Sequence, residues 1–268
     1  MNSRIRSAVK AFLIHLCASA LVGTCSALLV LGLWFPFPYR DLAGGMFLLW
    51  LLIGVDVGCG PLLTAVLYNP AKSRRELTLD LSIVVLVQLA ALVYGVYSIS
   101  QARPVVLAFE VDRFVAVTPA DLDPAQLPEA LPQYQSLSWT GPRLVGARDA
   151  RNGDERLKSV ELSLQGIEPS ARPGWWQPYE ESAPTAQKRM KPLADLRQTQ
   201  HATGQAAIDQ AAQKAGLPLA QLFYLPLTSA KKLDSWIAIL DKDAQIVGYA
   251  PVDGFPADNN PPAKQSGK

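Results

Sequence analysis

The hydrophobic pattern of the chain changes once. Up to residue 103 apolar residues come in long, nearly unbroken runs. From residue 104 they come in short stretches at strand or helix spacing, broken by turn-forming residues. Three runs reach the roughly 20 apolar residues needed to cross a bilayer. They are Phe12 to Phe35, Gly44 to Tyr68 and Leu81 to Ile99. The first continues through SALLVLGLWF, well past the 7–15 residues of a signal-peptide core, and bulky residues follow Cys25 without a break. It is expected to stay as an anchor, with Trp34, Phe35, Phe37 and Tyr39 forming an interfacial belt at its end.

Beyond Arg103 the pattern becomes β-like. Pro104–Val117 alternates, with Phe109, Val111 and Phe114 as candidate inward positions. A proline-rich stretch, 118–142, predicts a loop or short turns. Lys158–Leu164 (KSVELSL) reads as a short strand, and Arg172–Glu181 (RPGWWQPYEE) as a broken loop. Gln205–Ala215 reads as an amphipathic helix stopped by Gly216 and Pro218. Leu222–Leu227 is a strand, and Trp236–Asp241 with Gln245–Val252 form a hairpin around Lys242-Asp243-Ala244. The predicted fold is a membrane protein with three transmembrane α-helices followed by a periplasmic α+β domain with antiparallel strands. Its parts are 1–103, 104–255 and a tail, 256–268, expected to be disordered.

Charge supplies the orientation. Arg4, Arg6 and Lys10 precede the first run, and Lys72, Arg74 and Arg75 lie between the second and third. The loop between the first and second offers only Arg40, offset by Asp41. Cation excess marks the cytoplasmic side, so the N-terminus faces the cytoplasm and everything after Arg103 lies outside, in a bacterium the periplasm. Residues 1–103 hold eight Lys/Arg and four Asp/Glu, and the remainder 17 and 19, so no basic patch argues for nucleic acid. The cysteines, Cys17, Cys25 and Cys59, lie in apolar runs, and no cysteine or histidine spacing suggests a metal or other cofactor.

The candidate site lies in the second run, GGMFLLWLLIGVDVGCGPLLTAVLY, where Asp56 sits at mid-depth among Gly54, Gly58, Gly60 and Pro61. An ionisable group at bilayer depth costs about 2.5–3.5 kcal/mol on insertion scales, so it faces a partner. Small neighbours admit another helix closely, and Pro61 removes one helical hydrogen bond. Asp56 has two readings of equal weight: glue to Thr64, Ser82 or Gln88 of its own chain, or contact with a partner helix. His15 is expected to snorkel to the cytoplasmic interface rather than join Asp56. Asp80 is expected to pair with Arg74 or Arg75, or to sit in a first helical turn. Trp175 and Trp176 read as core or interface residues, or as an anchor for a partner.

GVDVGCGPLLTAVLYNPAKSRREL with the third apolar run, then QARPVVLAFEVDRFVAV, RPGWWQPY, KPLADLR and IVGYAPVDGF, resembles the TfpX/TfpZ family of type IV pilin accessory proteins. The likeness runs from about Arg4 to Phe255. It implies a bacterial inner-membrane factor, not an enzyme, that supports the stability, assembly or extraction of a major type IV pilin. The implied contacts are the pilin's transmembrane helix and periplasmic head, beside the lipid bilayer, with no small-molecule substrate. Asp56 would then meet a backbone amine, a hydroxyl or the pilin's N-terminal amine. The rival is an intramembrane aspartyl peptidase acting on prepilin, with Asp56 and Asp80 as its acids. It needs two carboxylates at one depth, whereas these differ by several turns, and GVDVG departs from the Gly-any-Gly-Asp order of such enzymes. A generic periplasmic sensor or scaffold subunit is the other alternative, although neither the N-terminal arm nor the inner loop is long enough to signal.

Overall fold

The computed structural model describes residues 3–255; the expectation of a disordered tail lies outside them. The chain divides into two compact units, Met1–Arg103 and Pro104–Lys268.

In the helical unit, α1 (Ser3–Leu29) runs on through a π-helical turn, Val30–Trp34. A short α2 (Tyr39–Leu42) leads to α3 (Gly45–Gly54), a second π-helical turn (Val55–Cys59) and α4 (Gly60–Leu67), which together make one continuous helix. The third long helix is α5 (Arg74–Ala102). Among the described residues three stretches, Arg4–Trp34, Gly45–Leu67 and Arg74–Ala102, are long and apolar enough to cross a membrane, with mean hydropathy of 2.0 to 2.1.

Local chemistry fixes the ends. Gly44, at φ 72°, turns the chain into α3. Ser73 and Glu76 form a reciprocal capping box at the start of α5, satisfying two otherwise orphaned amides. Asp80 pairs with Lys72 at 2.5 Å, rather than with Arg74 or Arg75. The belt expected at the end of the first span is mostly interior. Trp34, Phe35 and Tyr39 are buried, Trp34 and Phe35 in a cluster with Leu49, Leu52 and Ile99, and of the four aromatics only Phe37 stays exposed. The Arg103 guanidinium lies 5.9 Å from the Trp34 ring centroid, so the cluster covers the aromatic faces.

The described residues of the second unit carry an eight-stranded sheet. Its strands are β1 (Val106–Glu110), β2 (Arg113–Val117), β3 (Arg143–Ala147), β4 (Trp176–Pro178), β5 (Lys191–Pro192), β6 (Phe223–Ser229), β7 (Lys232–Leu240) and β8 (Ile246–Ala250). The order is β4-β3-β1-β2-β6-β7-β8, with β5 pairing β6 off this path. The sheet is mixed, which corrects the antiparallel expectation: β3 runs parallel to β1 and β6 parallel to β2. The reason lies in the connections. β2 ends opposite the start of β1, and the proline-rich stretch after it delivers the chain to β3 at that same end, since Val106 faces both Val117 and Arg143.

The helices of this unit are α6 (Gly153–Leu164), α7 (Tyr179–Arg189), α8 (Leu193–Thr199) and α9 (Ala202–Ala215). α9 and the β7–β8 hairpin fall where the pattern places them. Ile208, Ala211 and Ala212 bury the inner face of α9, and Gly216 caps it at φ 70°. At the hairpin the Asp241 carboxylate accepts from the amides of Asp243 and Gln245 and holds the turn.

Three readings are corrected. KSVELSL is the C-terminal part of α6, not a strand. Asn152 caps the Glu155 amide, and Asp154 and Glu155 occupy the first turn, so the helical start overrides a short alternation. RPGWWQPYEE is a 3₁₀ turn, then β4, then the beginning of α7. Pro104–Val117 folds as β1 and β2, and Val111 sits at the turn between them with φ 56° and 65% exposure, not on an inner face. Phe109 and Phe114 do point inward. Phe109 packs edge-on against Phe114 and Tyr179, and Phe114 lies tilted at 44° to Tyr179, whose hydroxyl donates to the Ala244 carbonyl. Burial, with Asp241 and Glu180 nearby, pushes that phenol's pKa well above its ordinary value.

Candidate functional site

The π-helical turn Val55–Cys59 is the irregular segment of the second long helix. Pro61 lacks an amide hydrogen, so it cannot complete a regular ladder; the wider turn just before it takes up the defect. Asp56 lies in this turn, 4% exposed. Its backbone carbonyl accepts from Gln88 Nε2 of α5 at 2.9 Å, and the same nitrogen stands 3.5 Å from Ser19 Oγ of α1. One amide therefore ties all three long helices at the level of the acid.

Glycine and proline make room for that tie. A Cβ on Gly60 would run into the Gln88 amide, so a larger residue there displaces it. Gly60, Pro61 and Thr64 are buried on the face that carries Asp56. Gly54 and Gly58 behave differently, because a Cβ at either meets nothing within 4 Å. The structure brings Asp56, Gly60 and Pro61 together and leaves Gly54 and Gly58 beside open space.

His15 is a correction. Its Nδ1 lies 2.5 Å from Thr64 Oγ1, across the α1–α4 contact, and it does not turn back toward the helix end. Thr64 is eight residues from Asp56, about 12 Å along a helix at 1.5 Å per residue. That offset is real, yet one cleft bridges it. A cavity of about 240 Å³ is lined by His15, Ser19, Asp56 and Gln88 together with Val85 and Leu89. A second, of about 350 Å³, lies on the other side of the acid, with Leu52, Val55, Ala91, Tyr94 and Ser98 among its walls.

Asp56 Oδ1 and Gln88 Oε1 are buried and have no hydrogen-bond partner among the described residues. Of the internal partners considered for Asp56, Thr64 is engaged with His15 and Gln88 serves the backbone carbonyl, so neither reaches Oδ1. Sequence spacing points to Asp56 and Gln88 but gives no sign of the His15–Thr64 contact. Gly23 also escaped notice. A Cβ there would sit at ordinary contact distance, 3.7 Å, from Val57, so α1 and the second helix pack without strain at that level.

The two tryptophans separate. Trp176 is 2% exposed, packs with Val106 and Val145, and donates its indole N–H to the Ser170 carbonyl at 2.7 Å. Trp175 is half-buried, with the guanidinium carbons of Arg148 and Arg172 at 4.6 and 5.1 Å from its ring centroid. Of the pair, Trp175 retains surface.

With this geometry in place, comparison supplies the family. The profile of the fimbrial assembly protein FimB matches residues 3–44, from α1 to the turn before α3. The fimbrial assembly protein of serogroup I from Dichelobacter nodosus is 37% identical over 254 residues, 95% of this chain and 98% of the relative. The serogroup E1 protein of the same organism is 36% identical over the same shares. The chain belongs to the family of fimbrial assembly proteins. A shorter fimbrial assembly protein of the same organism, for serogroups C1 and C2, is 40% identical over 129 residues, 48% of this chain and 98% of the relative. No solved structure matches it.

Among the described residues no group of three or more His, Cys, Asp or Glu side chains is placed to hold a metal ion. Asp56 and Asp80 are not brought together, since Asp80 is engaged by Lys72 at the start of α5. Chemically, the cleft offers hydrogen-bond acceptors in an apolar setting.

Proposed function

We propose that this fimbrial assembly protein is an inner-membrane accessory factor for type IV fimbriae, of the TfpX/TfpZ kind. It binds the major fimbrial subunit as a specific chaperone and supports its stability, assembly or extraction. The N-terminus lies in the cytoplasm and the sheet unit in the periplasm, the arrangement that the basic residues before α1 and α5 favour. The membrane helix of the subunit lies against the helical unit at the Asp56 cleft, while its head meets the periplasmic unit, with Trp175 as a candidate contact.

The observation that carries this reading is a carboxylate oxygen, Asp56 Oδ1, buried among three apolar helices and left without a partner among the described residues, in a chain whose relatives are fimbrial assembly proteins. Leaving a buried polar atom unsatisfied costs about 1–3 kcal/mol, a cost that a partner's donor removes. The role is one of binding, not catalysis. The pairing of Asp80 with Lys72 speaks against the aspartyl peptidase alternative, which needs Asp80 as its second acid.

The test is purification of the full-length protein from detergent-solubilised membranes of cells that make fimbriae. The major subunit is expected in the eluate at near-stoichiometric amount. Its absence under conditions that keep the helical unit folded, or cleavage of the subunit precursor by the purified protein, overturns the reading.

A further inference from the structure

We propose that Asp56, Gln88 and Ser19 together form a receptor for a primary ammonium group, carried into the helical unit on a membrane-embedded segment of a polypeptide partner. This rests on the proposed function for the partner's identity, but the chemistry of the site stands on its own geometry.

Three oxygens of three different helices converge here. Asp56 Oδ1 and Gln88 Oε1 are buried and accept from nothing among the described residues. Ser19 Oγ is buried as well and meets only the Gln88 amide nitrogen, at the long distance of 3.5 Å. All three residues line one cleft, whose remaining wall is His15, its Nδ1 engaged with Thr64, and the aliphatic Ala18, Val22, Val85, Leu89 and Leu92. The site is therefore short of donors, not acceptors.

Counting donors narrows the ligand. A hydroxyl brings one hydrogen and leaves at least one acceptor unpaired. A guanidinium brings five, more than these oxygens take up, and its surplus N–H groups would face hydrocarbon. A primary ammonium brings three. It also carries the charge that a buried carboxylate lacks, since an ionised group held away from water is tolerated only when paired and hydrogen-bonded. The Gln88 side chain is held for the purpose: its nitrogen is anchored on the Asp56 carbonyl, which turns its oxygen away as a free acceptor. Gly60 is the residue that lets the amide lie so close to the second helix. The aliphatic wall suits the methylene stem of a lysine or the first side chains beyond a chain's N-terminus.

The experiment uses the full-length protein in nanodiscs of phosphatidylglycerol, titrated with octylammonium as the probe. Saturable binding is expected, about ten-fold or more tighter than that of octanol, because charge-assisted bonds are roughly twice as strong as neutral ones. Octyltrimethylammonium, a cation without N–H donors, should not compete. Asp56→Asn keeps the shape and is expected to weaken the probe by about ten-fold or more, and Gln88→Leu by a few-fold. The thermal transition of each variant, read without probe, separates lost binding from lost folding. Equal binding of octanol, or affinity unchanged by Asp56→Asn in a folded variant, overturns the proposal, the latter because a neutral acid bonded to Gln88 would explain both oxygens. If phosphatidylethanolamine added to the nanodiscs displaces the probe, the amine is lipid-borne and the polypeptide source is overturned. Failure of the fimbrial subunit to co-purify with wild type defeats the proposed function while probe binding still stands. Equal co-purification with wild type and Asp56→Asn defeats this inference while the function stands.

Discussion

Two ionisable side chains, one in each unit, are equally buried and quite differently served. Arg172, in the sheet unit, is 4% exposed. Its terminal nitrogens donate to Ser159 Oγ, the Ser159 carbonyl, Ser163 Oγ and the Ile167 carbonyl, and its guanidinium lies by the Trp175 ring. Burial holds its pKa below the ordinary arginine value, although Glu168 and Glu110 oppose that shift. Asp56 is also 4% exposed, yet its Oδ1 has no partner among the described residues. Arg172 fastens α6 to the loop that precedes β4 through four bonds from its two terminal nitrogens, leaving one buried atom, Nε, without an acceptor among the described residues. Asp56 is an unsatisfied group kept in place by a tie that avoids its side chain. Buried charge alone therefore does not mark a binding site, and the difference lies in what the surrounding backbone supplies.

The sharpest contrast to break is in the sheet unit. Trp176→Ala should destabilise the protein by about 3–5 kcal/mol, the usual cost of emptying a buried aromatic site. Trp175→Ala should cost about 1 kcal/mol, as loss of partly exposed cation–π contacts. Urea unfolding of the full-length protein followed by near-ultraviolet circular dichroism reads both. Similar losses at the two positions would mean that the tryptophans are not divided between core and surface.

Arg172→Met comes next. It keeps much of the stem but strands four acceptors, and breaking such a buried network should cost about 3 kcal/mol. Asp56→Asn, with no side-chain partner at Oδ1 to lose, should shift the same transition by less than about 0.5 kcal/mol. A comparable loss at Asp56 would show that the acid is structural glue.

In the helical unit, Gly60→Ala should cost about 1–3 kcal/mol, because its methyl group collides with Gln88. Gly54→Ala meets open space and should be neutral or slightly stabilising, as alanine favours a helix by up to about 1 kcal/mol over glycine. Thermal unfolding in detergent compares the two.

The smallest effect concerns acid. The Glu155 carboxyl is held down at about 2, chiefly by hydrogen bonds from Arg148, to which it is paired at 2.7 Å. Its folded value lies below the ordinary value of about 4.3. The contribution is therefore full above about pH 4.3 and is lost as pH falls through about 2. Glu155→Gln should flatten that part of the pH–stability curve and change little at pH 7. An unchanged slope below pH 4 would show the pair to be idle.

Much of this was legible in the sequence, for identifiable reasons. The three long helices show because their apolar runs are unbroken, and the β7–β8 hairpin because Asp241 and its neighbours carry turn chemistry between two strand-spaced runs. In α6, Val160, Leu162 and Leu164 alternate as a strand does, although Asn152 followed by Asp154 and Glu155 carries the signal of a helix start. β3 is short and lies among turn residues, so its parallel pairing with β1 had no local signature. At the candidate site Asp56, Gly60, Pro61 and Gln88 could be picked out by residue type alone. The π-helical turn, the reach of His15 to Thr64 and the outward setting of Gly54 and Gly58 are properties of packing between helices.

The most direct measurement of the central claim is site-specific photo-crosslinking in cells that make fimbriae. A benzophenone amino acid at Leu89, on the wall of the Asp56 cleft, is compared with one at Val93, an exposed position of the same helix that lines neither cleft. The major fimbrial subunit should crosslink at Leu89, only weakly at Val93, and much less at Leu89 when Asp56→Asn is also present. Equal crosslinking at the two positions, or a Leu89 crosslink indifferent to Asp56→Asn, would contradict the account.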